Sequence, residues 1–473
     1  MMLAGGCAVG PNYRRPAAPT PQVFKEPPPE GWKQAQPNAG AIRGKWWEIY
    51  NDPQLNALEE QVSISNQNVA AAVAQYREAR DAVRIARSSL FPTVTTSPAV
   101  TNQRSSATLS ISASAVSPGS ATVYDLPFDV SYQADVWGSI RRNLTASYAN
   151  AQVSAADLEN ARLSFQAQLA EFYFELHGLD GDTDLLQRTV KAYEEYLKLT
   201  QDRFELGVAS GADVAQAKTL LDTTRAQLID LGVQRAQFEH AVAILIGKPP
   251  AELSIPAMVL KTLPPAVPIG VPSALLERRP DIAASERQVA AANEQIGIAK
   301  AAFFPSLLLS ATGGLESTSF SQWLTWPSRF WAVGPQVAET LFDAGKRHAQ
   351  LDTERAAYDA TVANYRQTVL TAFQQVEDNL AALRILEQEA TAEDAAVADA
   401  KESLAISTDQ YKQGIATYLQ VITAQTFALQ DEKAAVDILT RRMTASVLLI
   451  EALGGGWDAS QLPTRTEILA NSK

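Results

Sequence analysis

An internal repeat limits the possible folds of this chain more than any other feature. The segment RFELGVAS around Gly207 returns as QYKQGIAT around Gly414, which lies 207 residues later. The same separation relates Gly247 to Gly454, with no insertion between the two landmarks. A duplication of this kind predicts two similar structural units rather than two unrelated domains.

Long helices are predicted on the C-terminal side of both repeated glycines. Small and apolar residues follow Gly207 at alternating spacings of three and four, and the positions 207 residues later continue the same pattern. This narrow seam is typical of a coiled coil whose helices lie close together. One basic residue recurs within it, as Arg235 and Arg442. These two arginines either take part in a gate of the protein or simply pack in the seam with the aliphatic parts of their side chains buried.

Strands are predicted on the N-terminal side of the long helices. From Tyr124 to Gln133 every second residue is large and apolar, which is the period of a strand with one apolar and one polar face. The segment from Trp331 to Val337 repeats the pattern. Each copy is therefore predicted to run helix, strand, strand, long helix, tight turn, helix. The predicted fold class is mainly α with a small β part.

The absence of proline from Phe128 to Lys248 sets the length of the first long helix. Nearly 70 residues separate Trp137 from Gly207, and as a continuous helix they would span about 100 Å. Gly178 and Gly181, near the middle of this segment, predict a kink or a change of helix. Helices of this length must pack side by side along their length.

Four predicted strands are too few to close a barrel on their own, because the smallest membrane barrels have about eight. Open edges in lipid would leave unpaired backbone groups, each costing several kcal/mol. If the strands span a membrane, several chains must share them, and three chains would supply twelve. Trp323, Trp326 and Trp331 favour a membrane interface. The alternative is a four-stranded sheet on a soluble helical protein.

The N-terminus has the features of an anchor followed by an extended strap. Cys7 is the only cysteine of the chain and follows a short run of small and apolar residues. This pattern resembles the end of a bacterial lipoprotein signal, in which Cys7 would be acylated. The alternative is a free thiol on a tail. Many prolines follow Cys7, so the strap cannot be helical and should run extended along a surface.

Composition and spacing exclude several classes of function. The chain has 40 Lys and Arg against 52 Asp and Glu, a net charge of −12, which argues against a protein that binds a phosphate backbone. His177, His240 and His348 lie far apart, without zinc-site spacing or a nearby carboxylate or thiol partner. The chain contains no run of 18 apolar residues, so no membrane-spanning helix is predicted. We predict no enzyme, no metal site, no cofactor and no nucleic-acid partner.

Five short strings, taken in order, resemble the outer-membrane efflux duct family. They are VGPNY at 9–13, WW with DPQL at 46–55, RRPDI at 278–282, QIGIAK leading into FPS at 295–306, and ALGGGW at 452–457. The similarity covers essentially the whole chain. It points to the TolC-like ducts and, within them, to the NodT-type lipoprotein branch that serves resistance-nodulation-division (RND) efflux systems.

The resemblance implies a homotrimer with a twelve-stranded outer-membrane β-barrel continued by a twelve-helix periplasmic α-barrel. The implied partners are a periplasmic adaptor (membrane fusion protein), an inner-membrane RND pump that supplies the energy, and outer-membrane lipid around the anchor. Such a duct would passively conduct small toxic compounds or drugs from the periplasm to the exterior. The alternatives are a lipid-anchored periplasmic scaffold without a pore and an outer-membrane duct for secreted polypeptides.

The resemblance also places a periplasmic tip, where the duct closes, at the turns containing Gly207 and Gly414. Asp213 matches a position at which the family often has an acid, although it is equally suited to start a helix. Gln420 and Thr423 stand where acids are familiar in the second copy. Block of the tip by cations is therefore expected to be weak.

The predicted organisation has six parts. They are a remnant lipoprotein signal at 1–7, a proline-rich strap at 8–45, the first repeat at 46–250, a proline-rich linker at 251–272, the second repeat at 273–456 and a C-terminal tail at 457–473. Strands are expected at about 91–102 and 123–135 in the first repeat and at about 304–314 and 329–341 in the second, with tip turns at 207–211 and 414–417.

Overall fold

A computed structural model describes residues 8–29, 44–104, 120–268 and 271–470. The helices are α1 (Pro53–Ser65), α2 (Gln67–Ser88), α3 (Ser139–Glu205), α4 (Gly211–Leu245), α5 (Leu275–Arg278), α6 (Pro280–Ala301), α7 (Phe320–Trp323), α8 (Lys346–Lys412), α9 (Tyr418–Ala452) and α10 (Arg465–Ala470). The strands are β1 (Thr93–Thr96), β2 (Ala99–Gln103), β3 (Ala121–Ala134), β4 (Ser306–Ser317) and β5 (Arg329–Ala338). The predicted fold class, mostly helical with a small sheet, is confirmed.

The duplicated plan is visible in the helix lengths. The long helices α3 and α8 both have 67 residues, and α4 and α9 both have 35. Each pair begins and ends at positions 207 residues apart. Both long helices follow a glycine in the left-handed conformation, Gly138 with φ 82° and Gly345 with φ 88°. At 1.5 Å per residue, each long helix spans about 100 Å.

The sheet is antiparallel and has four strand positions in the order β1, β3, β4, β5. β2 also pairs with β3 and continues the line of β1, so the first position is a strand broken in two. The break falls at Ser97–Pro98, because proline has no N–H to donate to the neighbouring strand. The outer edge of β1 and β2 and that of β5 have no partner strand among the described residues.

The predicted helix change at Gly178 and Gly181 was wrong, because α3 runs unbroken through both glycines. Their function in the fold is to let α9 approach. An added Cβ at Gly178 would overlap the Thr440 hydroxyl, and one at Gly181 would lie 3.1 Å from Cγ1 of Val436. The missing side chains are therefore used for helix packing rather than for a break.

The main core lies at the mid-height of the long helices. Tyr173 of α3 and Leu380 of α8 are fully buried near the centre of their helices. The short helix α1 and the 3-10 turn at Trp46–Tyr50 pack onto the same core. None of the described helices combines the length and apolar composition needed to cross a bilayer.

Replacing Gly178 by alanine tests the close packing of α3 on α9. We expect G178A to destabilise the protein by about 1–3 kcal/mol, because the new Cβ overlaps the Thr440 side chain. The control is Gly232 of α4, where an added Cβ meets nothing within 4 Å, so G232A should stabilise by about 0.5–1 kcal/mol. Denaturant unfolding followed by circular dichroism measures both changes. An equal response of the two variants would contradict this explanation.

Candidate functional site

The sheet exposes large apolar side chains. Trp331, Val333 and Val337 of the edge strand β5 are all more than 60% exposed, and Val94 and Val100 at the opposite edge are exposed as well. β3 and β4 have 14 and 12 residues, which is more than the 9–11 or so that a tilted strand needs to cross a bilayer. The sheet is therefore long enough to span a membrane and has an apolar surface.

Aromatic residues mark both ends of the sheet. At the β4–β5 turn, the Trp323 Nε1–H donates to the Leu315 carbonyl, and the Arg329 guanidinium lies 4.1 Å from the ring centre of Trp326. At the other end, Trp137 stacks on Phe304 with ring centres 4.6 Å apart. Indole rings at the two ends of an apolar sheet suit the two interfaces of a bilayer.

The N-terminal strap begins beside the base of the sheet. The Val9 N–H donates to the Trp137 carbonyl at 3.1 Å. Gly10 has φ 119°, and an added Cβ there would lie 2.6 Å from Cα of Gly297, so only glycine fits this contact. Nη1 of Arg142 donates to the Pro11 carbonyl. The lipidation candidate Cys7 lies outside the described residues.

The strap contacts the middle of α8 at Lys25 and Glu26. Both oxygens of the Glu377 carboxylate accept backbone N–H groups of the strap, from Lys25 at 2.7 Å and from Glu26 at 2.9 Å. Arg384 adds an ion pair to the Glu26 carboxylate at 2.6 Å. The strap is thus bound through its backbone at a fixed height on the long helix.

The linker between the repeats is bound in the same way to the first copy. Asp180 of α3 accepts hydrogen bonds from Nε of Arg235 at 2.7 Å and from the Met258 N–H at 3.0 Å. Nη2 of Arg235 donates to the Ile255 carbonyl at 2.7 Å, and Glu239 accepts the Ile255 N–H. We call the linker contacts of Asp180 and the strap contacts of Glu377 together the belt. By the repeat, Asp180 corresponds to Glu387, which lies ten residues, about 15 Å, beyond Glu377 along the long helix.

His177 belongs to the belt, and the sequence interpretation that it has no nearby carboxylate partner was wrong. Its Nδ1 lies 2.8 Å from Oδ2 of Asp180, three residues along the same helix turn, and both side chains are buried. Burial raises the pKa of Asp180, but hydrogen bonds from His177, Arg235 and the Met258 N–H outweigh it and hold the pKa below its usual value. Asp180 is therefore charged at neutral pH.

The two seam arginines are held differently. Arg235 belongs to the belt and pairs with the buried Asp180 and with Glu239. Arg442 pairs, among the described residues, only with the half-exposed Glu387, at 3.6 Å. Arg235 lies 24 residues beyond the start of α4, about 36 Å from the tip turn. A link from either arginine to a gate stays a prediction.

The tip candidates lie in the two turns that join the helix pairs. Gly207 and Gly414 have φ 75° and 78°, a conformation that favours glycine. Asp213 accepts the Ser210 N–H and so closes a capping box at the start of α4. Gln420 closes the equivalent box with Thr417.

The Thr423 hydroxyl donates to the Leu419 carbonyl within α9. Among the described residues, Asp213, Gln420 and Thr423 thus bond within their own helix starts rather than with one another. Their relation to a gate stays a prediction.

A second set of tip contacts was not found from the sequence. Nη1 of Arg203, in the last turn of α3, donates to the Tyr411 carbonyl at 2.9 Å and to the Lys412 carbonyl at 3.2 Å. Its guanidinium lies 4.6 Å from the ring centre of Tyr411, which in turn contacts Tyr418 at 5.4 Å. The hydroxyls of Tyr196 and Thr408 are 3.0 Å apart.

We call this set, Arg203, Tyr196, Thr408, Tyr411 and Tyr418, the tip clasp. It joins the end of α3 to α8 and α9 through a cation–π contact, an arginine on helix C-terminal carbonyls and packed rings. One feature of the sequence could have pointed to Arg203. The two repeats differ at this position, because the counterpart of Arg203 in the second repeat is Gln410.

Comparisons with known proteins agree with this geometry. The family described as "Outer membrane efflux protein" matches residues 58–248 and 271–455. The toluene efflux pump outer membrane protein TtgC and the antibiotic efflux pump outer membrane protein ArpC, both from Pseudomonas putida, are each 32% identical over 461 residues, covering 96% of this chain and 94% of the relative. The solved outer-membrane channel OprN is 28% identical with a TM-score of 0.88, covering 95% of this chain and 100% of OprN.

Replacing Arg235 by methionine tests how strongly the belt depends on its buried ion pair. We expect R235M to destabilise by about 3 kcal/mol, because it leaves the buried Asp180 carboxylate without its charged partner. The control R442M breaks a longer and more exposed pair and should change stability by less than about 1 kcal/mol. Thermal unfolding measures stability, and limited proteolysis between 251 and 268 measures release of the linker. Equal losses of stability in R235M and R442M would show that the buried Arg235–Asp180 pair contributes no more than the exposed Arg442–Glu387 pair.

Proposed function

The chain belongs to the outer membrane efflux protein family, and from this premise we propose that it is the outer-membrane channel of a tripartite efflux pump. Small toxic compounds or drugs pass through it passively from the periplasm to the exterior. The relatives named for toluene and antibiotic efflux support this class of cargo. The family is one of efflux channels rather than enzymes, so energy enters elsewhere in the pump.

The unpaired edges of the sheet are the main support for a homotrimer. In a membrane, the unpaired N–H and C=O groups of β5 and of β1 and β2 would each cost several kcal/mol. Pairing β5 of one copy with β1 and β2 of the next removes this cost. Three copies with four strand positions each make a closed twelve-stranded barrel, which is the barrel that the family resemblance implies.

The long helices provide the periplasmic part. α3, α4, α8 and α9 of three copies make a twelve-helix α-barrel, and the 67-residue helices give it a length of about 100 Å. A periplasmic adaptor docks at the tip and an inner-membrane RND pump loads the channel. Leu206, Val208 and Ile415 support docking there, because all three are apolar, highly exposed and close to the tip turns.

Lipid anchoring through Cys7 is part of the proposal. Val9 is bound to Trp137 at the base of the sheet, and two residues of extended chain reach only about 7 Å. An acyl group on Cys7 would therefore enter the membrane next to the barrel. At the tip, Asp213, Gln420 and Thr423 are proposed to line the gate, with weak cation block because only the first is an acid.

Two alternatives make different predictions. A periplasmic scaffold without a pore needs neither the apolar sheet surface nor pooled strands, and family membership favours the channel. A duct for secreted polypeptides shares the trimer and differs only in cargo. The named relatives favour small compounds over polypeptides.

The mass of the protein in mild detergent tests the channel. We expect outer-membrane fractions to yield a trimer of three 51.1 kDa chains that falls to monomer on boiling, because barrel strands shared between chains resist detergent until heated. Mass photometry before boiling and gel electrophoresis with and without boiling are the measurements. A soluble 51.1 kDa monomer in the periplasmic fraction would overturn the barrel and leave the scaffold.

A further inference from the structure

Positively charged side chains collect where the helices meet the sheet. Four helices, α2, α3, α6 and α8, lead to or from the sheet at the same end. The helical turns that border the sheet contain no Asp or Glu, although the whole chain has a net charge of −12. Their Lys and Arg residues are Arg87, Arg141, Arg142, Lys300, Lys346 and Arg347.

Half of these cations are neutralised within the chain. Three ion pairs with N–O distances of 2.6 to 3.0 Å join Arg141 to Asp135, Arg142 to Glu294 and Arg347 to Asp343.

The other three cations are exposed and have no ion-pair partner among the residues that the structure describes. They are Arg87, Lys300 and Lys346, and we call them the basic collar. Glu339, which directly follows β5, is also exposed and unpaired in the described part of the chain. With three cations against this one carboxylate, the end of the sheet keeps a positive charge.

Helix dipoles account for only part of the collar. Arg87 and Lys300 lie in the last turns of α2 and α6, where the negative end of the dipole favours a cation. Lys346 is the first residue of α8, where the positive end of the dipole opposes a cation. An anion supplied from outside the chain would remove this conflict.

Each collar cation lies four residues from a phenylalanine at the end of the sheet. The pairs are Arg87 with Phe91, Lys300 with Phe304 and Lys346 with Phe342. The three rings are 60%, 38% and 87% exposed, in that order. An apolar ring next to a long cationic side chain suits the boundary of a bilayer, because the ring enters the apolar layer while the cation stays with the phosphates.

The strap indicates that the collar faces outward. The Asn293 amide of α6 donates to the Pro11 carbonyl of the strap, and Lys300 lies seven residues further, two turns along the same helix face. The strap starts beside Trp137 at the base of the sheet and, with the proposed lipid anchor, lies outside the duct. Arg87 is the counterpart of Lys300, 213 residues earlier, so the repeat places it on the same face of α2.

Lys346 lies at the same height. It directly follows Gly345, the counterpart of Gly138 in the first repeat, 207 residues earlier. An added Cβ at Gly138 would lie 3.0 Å from Cα of Ala8, so the start of the strap borders this position. The first residue of each long helix is therefore level with the end of the strap that leads to the proposed anchor.

We infer that the basic collar binds the phosphate groups of anionic phospholipids in the leaflet that faces the periplasm. This inference rests on the proposed barrel, because a sheet that spans the membrane brings the collar to the surface of that leaflet. The charge of the collar complements the headgroups, and its phenylalanines continue the apolar surface of the sheet. The collar thereby fixes the depth of the barrel without the acyl group on Cys7.

Lipid binding to the purified full-length trimer tests the collar. Trimers in mild detergent are mixed with phosphatidylglycerol or with zwitterionic phosphatidylcholine, and native mass spectrometry counts the bound lipids. We expect the wild type to prefer phosphatidylglycerol, and each of R87Q, K300Q and K346Q to reduce this preference about fivefold, which is the contribution of one cation near an anionic surface. R87Q/K300Q/K346Q should bind both lipids equally.

The matched control is K198Q/K218Q/K412Q. It removes three exposed cations that also lack an ion-pair partner among the described residues but lie near the tip turns. Lys412 stands in the last turn of α8, so its loss reproduces the change in helix dipole of R87Q and K300Q far from the sheet. We expect this variant to keep the wild-type lipid preference.

Three results would overturn the inference. They are an unchanged preference in R87Q/K300Q/K346Q, an equal loss of preference in the control, and a trimer that dissociates in lipid-free detergent only when the collar is substituted. The last result would assign the collar to contacts between copies. A wild-type trimer without lipid preference removes the collar and leaves the channel, whereas a wild-type monomer removes the barrel itself.

Discussion

Backbone hydrogen bonding at the sheet edges is the constraint on which the rest of this structure depends. A chain with four strand positions cannot pair its own outer edges, and the membrane supplies no water to do so. The helices below the sheet must therefore be arranged so that several copies of the chain can pack around one axis. The helices of the two repeats have equal lengths, α3 with α8 and α4 with α9, so the four helices of one copy can continue a ring into the next copy.

The belt divides the long helices into two mechanical parts. Above it, the strap and the core hold α3, α6 and α8 together through buried polar contacts, including the Arg142–Glu294 pair. Below it, the helices are joined mainly by the narrow seam and by the tip clasp. The buried Arg235–Asp180 pair of the belt resists separation, so the half of the chain next to the sheet is held by more buried polar contacts than the tip.

The sequence predicted the duplicated plan, the helix lengths and the strand pattern because each depends on periodicity, which local residues determine. It misjudged Gly178 and Gly181, since a glycine that breaks a helix and one that admits a neighbouring helix look alike until the neighbour is known. The sequence shows His177 and Asp180 three residues apart, but it does not show that both side chains are buried, which is what makes their contact important. The divergence of the repeats marks Arg203, but its partner could not be found by pattern, because it is a backbone carbonyl of a helix 208 residues away.

The strap has limited slack, about 9–14 Å between its fully extended reach and the height that it spans. From Val9 at the base of the sheet to Glu26 at Glu377 it has 17 residues, which reach at most about 56–61 Å when fully extended. The matching path along α8, from its first residue to Glu377, is about 47 Å. The length of the strap therefore limits the distance between the membrane face and the belt. A channel of this design can gain no more than about two helical turns in its upper half without a longer N-terminal strap to match them.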